Sequence, residues 1–361
     1  MRGSKRDAEK VLRDLLEERL DTQTGRETLN AFINTWFRDW APITARERTL
    51  VGYRLIADKH LIPALGHIRL DKLTPEAIQA YYTDKLRNGR TDGRGGLSAR
   101  TVNHHHKLLG RIVRRAYRLR KIPHNVMDFV EAPRGSSRSI ACLSLEEVNV
   151  LIKESSRTRY FVFVVLASDT GMRRSELLGL QWQDIDLKRR TISVERGLHT
   201  FEKGRQVYQP PKSESSRRRI DLAQTTCDLL ERHKAACEEI LGRISYETPV
   251  FCVSDGSPWK GSAVSHGIKK LLRKIGRPDV SLHGLRHSTA SNMLSLGIHM
   301  KVVQELLGHS DFGVTMNIYT HVSPGLQVQA VNQLAEARAK AGISTPFQHP
   351  SEKAGSKGVA I

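Results

Sequence analysis

Apolar residues recur at helical spacing through most of the chain, and the elements they predict come in two runs. In the first run, Ala8, Val11, Leu12, Leu15, Leu16 and Leu20 line one face of a helix over residues 6–20. An aromatic-rich helix is predicted over 29–40, with two more over 44–60 and 75–87. Thr74 and Pro75 stand where an N-cap and a first helical position belong. The glycine-rich stretch 88–96 reads as a loop. Ser98 then caps a long helix to about residue 121, with Leu109, Ile112, Val113, Ala116 and Leu119 on its apolar face. The polar stretch around Pro133 and Gly135 reads as a linker.

The second run opens at Ser144-Leu145-Glu146-Glu147, which has the Ser-x-x-Glu form of a capping box. The pattern predicts a buried helix over 158–169 and a short one over 174–180. Strands are expected near 190–197, 206–210 and 217–222, then a helix over 223–241 and a strand over 249–253. Helices over 260–275, 285–296, 300–307 and 312–320 complete this core. From about residue 342 the chain is rich in Gly, Ser, Pro and Lys and reads as a disordered tail. The fold class expected is mainly α with a small antiparallel β-sheet (α+β).

Charge narrows the partner. The formal net charge is +20 over 361 residues, an excess that repels itself unless a polyanion neutralises it. Nucleic acid is the first candidate and an anionic membrane surface the second. No run of about 18 uncharged apolar residues predicts a membrane span. The start, Met1-Arg2-Gly3-Ser4-Lys5-Arg6, is not a secretory signal. Cys142, Cys227, Cys237 and Cys252 form no CxxC pair and read as small buried hydrophobes in a reducing cytoplasm.

Candidate chemistry is spread along both runs. Arg111, Arg114, Arg115 and Arg118 recur at helical spacing with no acid anywhere from 98 to 121. They form either a solvated helix face or a ridge of phosphate contacts. His104-His105-His106 points three rings about 100° apart, so they cannot converge on one metal ion. In Thr170-Gly171-Met172-Arg173-Arg174-Ser175-Glu176, Arg173 follows the break of a very apolar helix. It is either a surface cap or a side chain aimed into a cleft. Lys212 lies in a turn between two strand-like runs, read as a hairpin tip, either solvated or beside a phosphate. His283 and Arg286 are three apart at a helix N-terminus, a geometry that suits a phosphate. His309 follows Gly308, the expected C′ glycine of a helix. Tyr319, flanked by Ile318 and Val322, would by itself be read as core.

Taken in order, Arg173, Lys212, His283 with Arg286, His309 and Tyr319 resemble the catalytic set of the tyrosine recombinases, the phage integrases. The motifs that carry the likeness are Thr-Gly-x-Arg, the lysine turn, His-x-Leu-Arg-His, Leu-Gly-His and the C-terminal tyrosine. Glu176 matches that family's acidic residue three after the first arginine. The likeness spans roughly residues 140–340, and more weakly 27–133. It implies five segments: a remnant helix of an arm-binding domain (1–25), a helical core-binding domain (26–133), a linker (134–141), a catalytic domain (142–341) and the tail (342–361). The strands of an arm-binding domain have no counterpart, which puts arm-site binding in doubt.

The resemblance implies attack by the Tyr319 hydroxyl on a DNA phosphate, giving a 3′-phosphotyrosyl link and a free 5′-hydroxyl. Arg173 and Arg286 would clamp the non-bridging oxygens, with His309 adding a hydrogen bond. His283 would accept the phenol proton and Lys212 would protonate the leaving oxygen, while Glu176 orients its neighbours. No metal, ATP or other cofactor is expected. The implied partners are double-stranded DNA, three further copies in a tetramer, and accessory DNA-bending or directionality factors, in a bacterial cytoplasm. The implied task is integration or excision of a phage or other mobile element.

Overall fold

The computed structural model describes residue 9 and residues 27–135, 140–201, 204–211, 216–308 and 325–340. The helices expected over 6–20 and 312–320, much of the linker, and the tail lie outside the described residues. The chain divides into two compact units at residues 138 and 139.

The first unit is helical. Helix α1 (Leu29–Asp39) starts where the Thr28 hydroxyl accepts from the Ala31 N–H at 3.3 Å. Helix α2 (Glu47–Ile56) begins later than expected, because Ala41–Thr44 makes a turn of its own. It continues through a π-helical turn at Ala57–Leu61 into Ile62–Leu65. Helix α3 (Pro75–Asn88) has Thr74 as N-cap and Pro75 at its first position. Helix α4 (Ala99–Arg118) is capped by Ser98. Leu109, Ile112, Val113 and Ala116 are fully buried against α1 and α3, together with Phe32, Ile33, Ile78 and Tyr82. Leu119 departs from the expected face and is exposed. The helix ends at Arg118, and the chain turns through Arg120 at φ +57°.

The second unit is built around α6 (Phe161–Thr170), which packs on α5 (Leu145–Ser155), α8 (Gln224–Leu241) and α10 (Leu282–Ser295). The capping box of α5 is formed in both directions. The short helix α7 is Arg174–Leu178, α9 is Gly261–Lys274 and α11 is Met300–Leu307. A further helix, α12, spans Gly325–Lys340. Among the described residues no helix is long and apolar enough to cross a membrane.

Two small antiparallel sheets flank these helices. One has the order β1 (Ile185–Asp186), β2 (Thr191–Val194), β5 (Arg218–Asp221); the other pairs β3 (Gly197–Thr200) with β4 (Gln206–Gln209). In the first, Ile192 lies opposite Ile220, both buried. The turn expected to be a hairpin tip therefore links two different sheets. The strand expected over 249–253 is reduced to isolated bridges, Gln181 with Pro249 and Cys252 with Pro258. Each bridge is held by bonds on either side of its proline, among them Val250 N–H to the Leu180 carbonyl and Trp259 N–H to the Phe251 carbonyl, both at 2.9 Å. All four cysteines are free; Cys227 and Cys237 are buried, but Cys142 and Cys252 are only half-buried.

Candidate active site

Four of the expected site residues converge in the second unit. Helix α6 ends at Gly171, whose φ of +58° suits a residue without Cβ. The chain reverses there, and Arg173 becomes the N-cap of α7. Both sequence alternatives for Arg173 hold in part: its backbone caps the helix, while its side chain points inward. Arg173 Nη1 meets Glu176 Oε1 at 2.7 Å and Nη2 donates to the Gly308 carbonyl at 3.3 Å. Arg286, on the first turns of α10, is buried, donating to the carbonyls of Gly171 at 2.8 Å and Leu307 at 2.6 Å.

A third arginine belongs to this cluster and went unnoticed in the sequence. Arg218, at the start of β5, donates from Nη2 to Glu176 Oε2 at 2.9 Å, from Nε to the Leu306 carbonyl at 2.6 Å and from Nη1 to the Ser216 carbonyl at 3.2 Å. Its signal lay in the alternation of Arg217-Arg218-Arg219-Ile220. A strand period of two puts Arg218 on the same inward face as Ile220. The last turn of α11 thus offers three successive carbonyls, Leu306, Leu307 and Gly308, each taken by a different arginine. Gly308 is in the left-handed region at φ +66°, and a Cβ there would lie 3.0 Å from Arg218 Nη1.

The electrostatics of this cluster favour an anion. Three guanidinium groups surround one carboxylate. Burial alone would raise the Glu176 pKa, but the Arg218 charge and hydrogen bond, the Arg173 N–H and the Arg173 charge outweigh it and hold the carboxyl below its usual range. Burial, then Arg173 and Arg218, disfavour the charge on Arg286, with Glu176 opposing them. A phosphodiester, and still more the dianionic phosphorane formed from it, would relieve that excess. His283 is lowered by burial, then by Arg286 and Arg173, so its ring is neutral at pH 7 and can accept a proton. Its ring lies edge-on to His287 at 4.8 Å between centroids. His287 is pushed down to about 4 by burial, His283 and Arg286. Lys212, His309 and Tyr319 lie outside the described residues. Among the described residues, no group of three or more His, Cys, Asp or Glu could hold a metal ion.

The arginine ridge of α4 is not uniform. Arg111, Arg114 and Arg118 are exposed, with Arg111 5.5 Å over the Tyr53 ring. Arg115 is half-buried 4.8 Å over Trp40, and its Nε is buried without a hydrogen-bond partner. The neighbouring histidines are structural: His105 Nδ1 meets the Tyr81 hydroxyl at 2.8 Å and His106 Nδ1 the Tyr82 hydroxyl at 3.0 Å.

The sequence pattern of the phage integrase family matches residues 142–325, which contain this whole cluster. The chain belongs to that family. It is accordingly a site-specific recombinase of the tyrosine type. The N-terminal SAM-like domain of phage integrases matches residues 28–86. A XerC-like tyrosine recombinase of Caldanaerobacter subterraneus is 33% identical over 210 residues, 54% of each chain, so that match spans about half the relative's length. An integrase of Saccharopolyspora erythraea is 25% identical, covering 85% of this chain and 82% of that one. Among solved structures, the Tn1549 transposon integrase in complex with a circular intermediate DNA superposes with a TM-score of 0.73 at 18% identity. It covers 85% of this chain and 99% of that one. That last likeness is one of fold.

Proposed function

We propose that this recombinase cleaves and rejoins double-stranded DNA at the ends of a mobile element, through a covalent link to Tyr319. The observation that carries the reading is the arginine cluster around a single carboxylate, which leaves an excess of positive charge suited to a phosphoryl group. The Tyr319 oxygen forms a bond to phosphorus as the bond to the 5′-oxygen breaks. A phenol with a pKa near 10 is ionised about once in a thousand at pH 7, so the reaction needs a base and a positive field. His283, neutral beside the arginines, takes the phenol proton. Arg173 and Arg286 hold the non-bridging oxygens, His309 adds a donor, and Lys212 delivers a proton to the departing 5′-oxygen. A 5′-hydroxyl from another duplex then attacks the phosphotyrosine by the reverse route. The ester keeps the bond energy, so no ATP is consumed, and the cations supply the charge stabilisation that a metal gives in other phosphoryl transfers.

Joining two duplexes needs four cuts, and so four copies on two sites. Helix α12 presents Val331 and Leu334 to solvent, 61% and 53% exposed, an apolar surface suited to a neighbouring copy. On α4, Arg111, Arg114 and Arg118 bind backbone phosphates. The work is done in the host cytoplasm, with accessory factors that bend DNA or set direction.

Tyr319→Phe tests the assignment. The variant binds a nicked duplex carrying the junction at the flanks of its own gene as tightly as the unaltered protein, yet leaves no adduct on a denaturing gel. An adduct of the usual size from the Phe variant refutes the nucleophile.

A further inference from the structure

We propose that Arg218 is a positioning residue for DNA cleavage, which occupies the Glu176 carboxylate so that the charge of Arg173 stays open to the phosphate. The inference rests on reading Arg173 and Arg286 as phosphate clamps.

The two arginines that share Glu176 are placed differently. The Arg218 side chain is 6% exposed, whereas that of Arg173 is 35% exposed. Each of the three nitrogens of the Arg218 guanidinium donates to a protein oxygen: Nη2 to Glu176 Oε2, Nε to the Leu306 carbonyl and Nη1 to the Ser216 carbonyl. Its charge is matched by the Glu176 carboxylate, whereas the contacts of Arg286 are to the neutral carbonyls of Gly171 and Leu307 and leave its charge for the phosphate. Arg173 keeps an open side, with one contact to Glu176 Oε1 and a longer one to the Gly308 carbonyl. A carboxylate shared between two guanidinium groups neutralises neither fully. Remove Arg218, and Glu176 is left to Arg173. The open cation then becomes one half of a closed ion pair, poorer at attracting a phosphate.

The same guanidinium sets geometry as well as charge. By gripping the Leu306 carbonyl it ties β5 to the last turn of α11. The next two carbonyls, Leu307 and Gly308, are those that hold Arg286 and Arg173. Arg218 thereby fixes the register of all three arginines along one helix end, whose partial negative charge suits them. This is a role through other residues; Arg218 itself does not touch DNA.

The test is a charge-balance cycle in the full chain: Arg218→Gln, Glu176→Gln, the double variant and Arg218→Lys. Each is measured for binding to the nicked junction duplex and for the single-turnover rate of adduct formation. Arg218→Gln is expected to bind within about threefold of the unaltered protein but to react about a hundredfold more slowly, since the lost interaction acts in the transition state. Adding Glu176→Gln to it should recover at least about tenfold, because the surplus carboxylate is gone. Arg218→Lys, which keeps the charge, should stay within about tenfold of normal and folds even if the Gln variant does not. The proposal is overturned if Arg218→Gln reacts at the normal rate, if the double variant is slower than Arg218→Gln, or if Arg218→Lys is as slow as Arg173→Ala. Absence of adduct from the unaltered protein overturns the phosphotyrosine reading instead, which separates the two failures.

Discussion

Replacing Gly171 with alanine probes the turn on which the cluster depends. The residue sits at φ +58°, and a Cβ would lie 2.4 Å from Leu307 Cδ2 and 3.4 Å from Thr289 Cγ2. Leu307 is fully buried, so its side chain has nowhere to swing. The left-handed conformation costs an L-residue about 1–2 kcal/mol, and overpacking adds about 1–3 kcal/mol. Stiffening of the unfolded chain returns about 0.4–1 kcal/mol. The net loss is about 1–4.5 kcal/mol, or a fall in Tm of about 2–18 °C for a unit of this size. Gly297 is the control. It has φ +79° with nothing within 4 Å of its Cβ position, so Gly297→Ala carries the conformational cost alone, about 1 kcal/mol. Thermal and urea denaturation followed by circular dichroism measure both. Because the Gly171 carbonyl holds Arg286, adduct formation should fall with Gly171→Ala and not with Gly297→Ala. Equal destabilisation by the two substitutions would refute the close approach of Leu307 and with it the account of the turn.

Three further outcomes are expected. His105 and His287 are each pushed down to about 4, mainly by burial. Their unfolded forms take up a proton near pH 6.5, so stability is lost as pH falls from about 6.5 toward 4, by about 2 kcal/mol per residue at pH 5; a urea midpoint unchanged between pH 7 and pH 5 contradicts this. Replacing Arg111, Arg114 and Arg118 with Gln should flatten the dependence of DNA affinity on salt by about one unit of slope each, whereas Arg115→Gln should lower stability more than slope, because Arg115 rests on Trp40. A DNA with sulfur at the bridging 5′ position leaves as a thiolate, conjugate acid pKa about 8.5, and needs no acid. Lys212→Ala should therefore cleave ordinary DNA about 10²–10⁴-fold more slowly yet cleave the sulfur substrate nearly normally, and Arg173→Ala should not be rescued; rescue of Arg173→Ala alone reverses the two roles.

Much of this molecule follows from local chemistry. Helix caps at Thr74, Ser98 and Ser144, the left-handed glycines at 171 and 308, and the apolar face of α4 depend on residues a few positions apart, so spacing alone predicts them. The order of Arg173, Lys212, His283 with Arg286, His309 and Tyr319 likewise carries the family likeness in the sequence. Other features depend on partners far along the chain. Local spacing puts Arg218, among Arg217, Arg218 and Arg219, on the inward face but gives it no partner; pairing of β5 with β2 brings it to Glu176, 42 residues away in sequence. Arg115 shares the spacing of the ridge, and only the fold sets it over Trp40. The turn around Lys212 read as a hairpin because two strand-like runs flank it, and only strand pairing assigns those runs to separate sheets. Periodicity tells which face of an element is buried, but a charge's partner and a strand's neighbour are set by long-range contacts, and these exist only once the chain has folded.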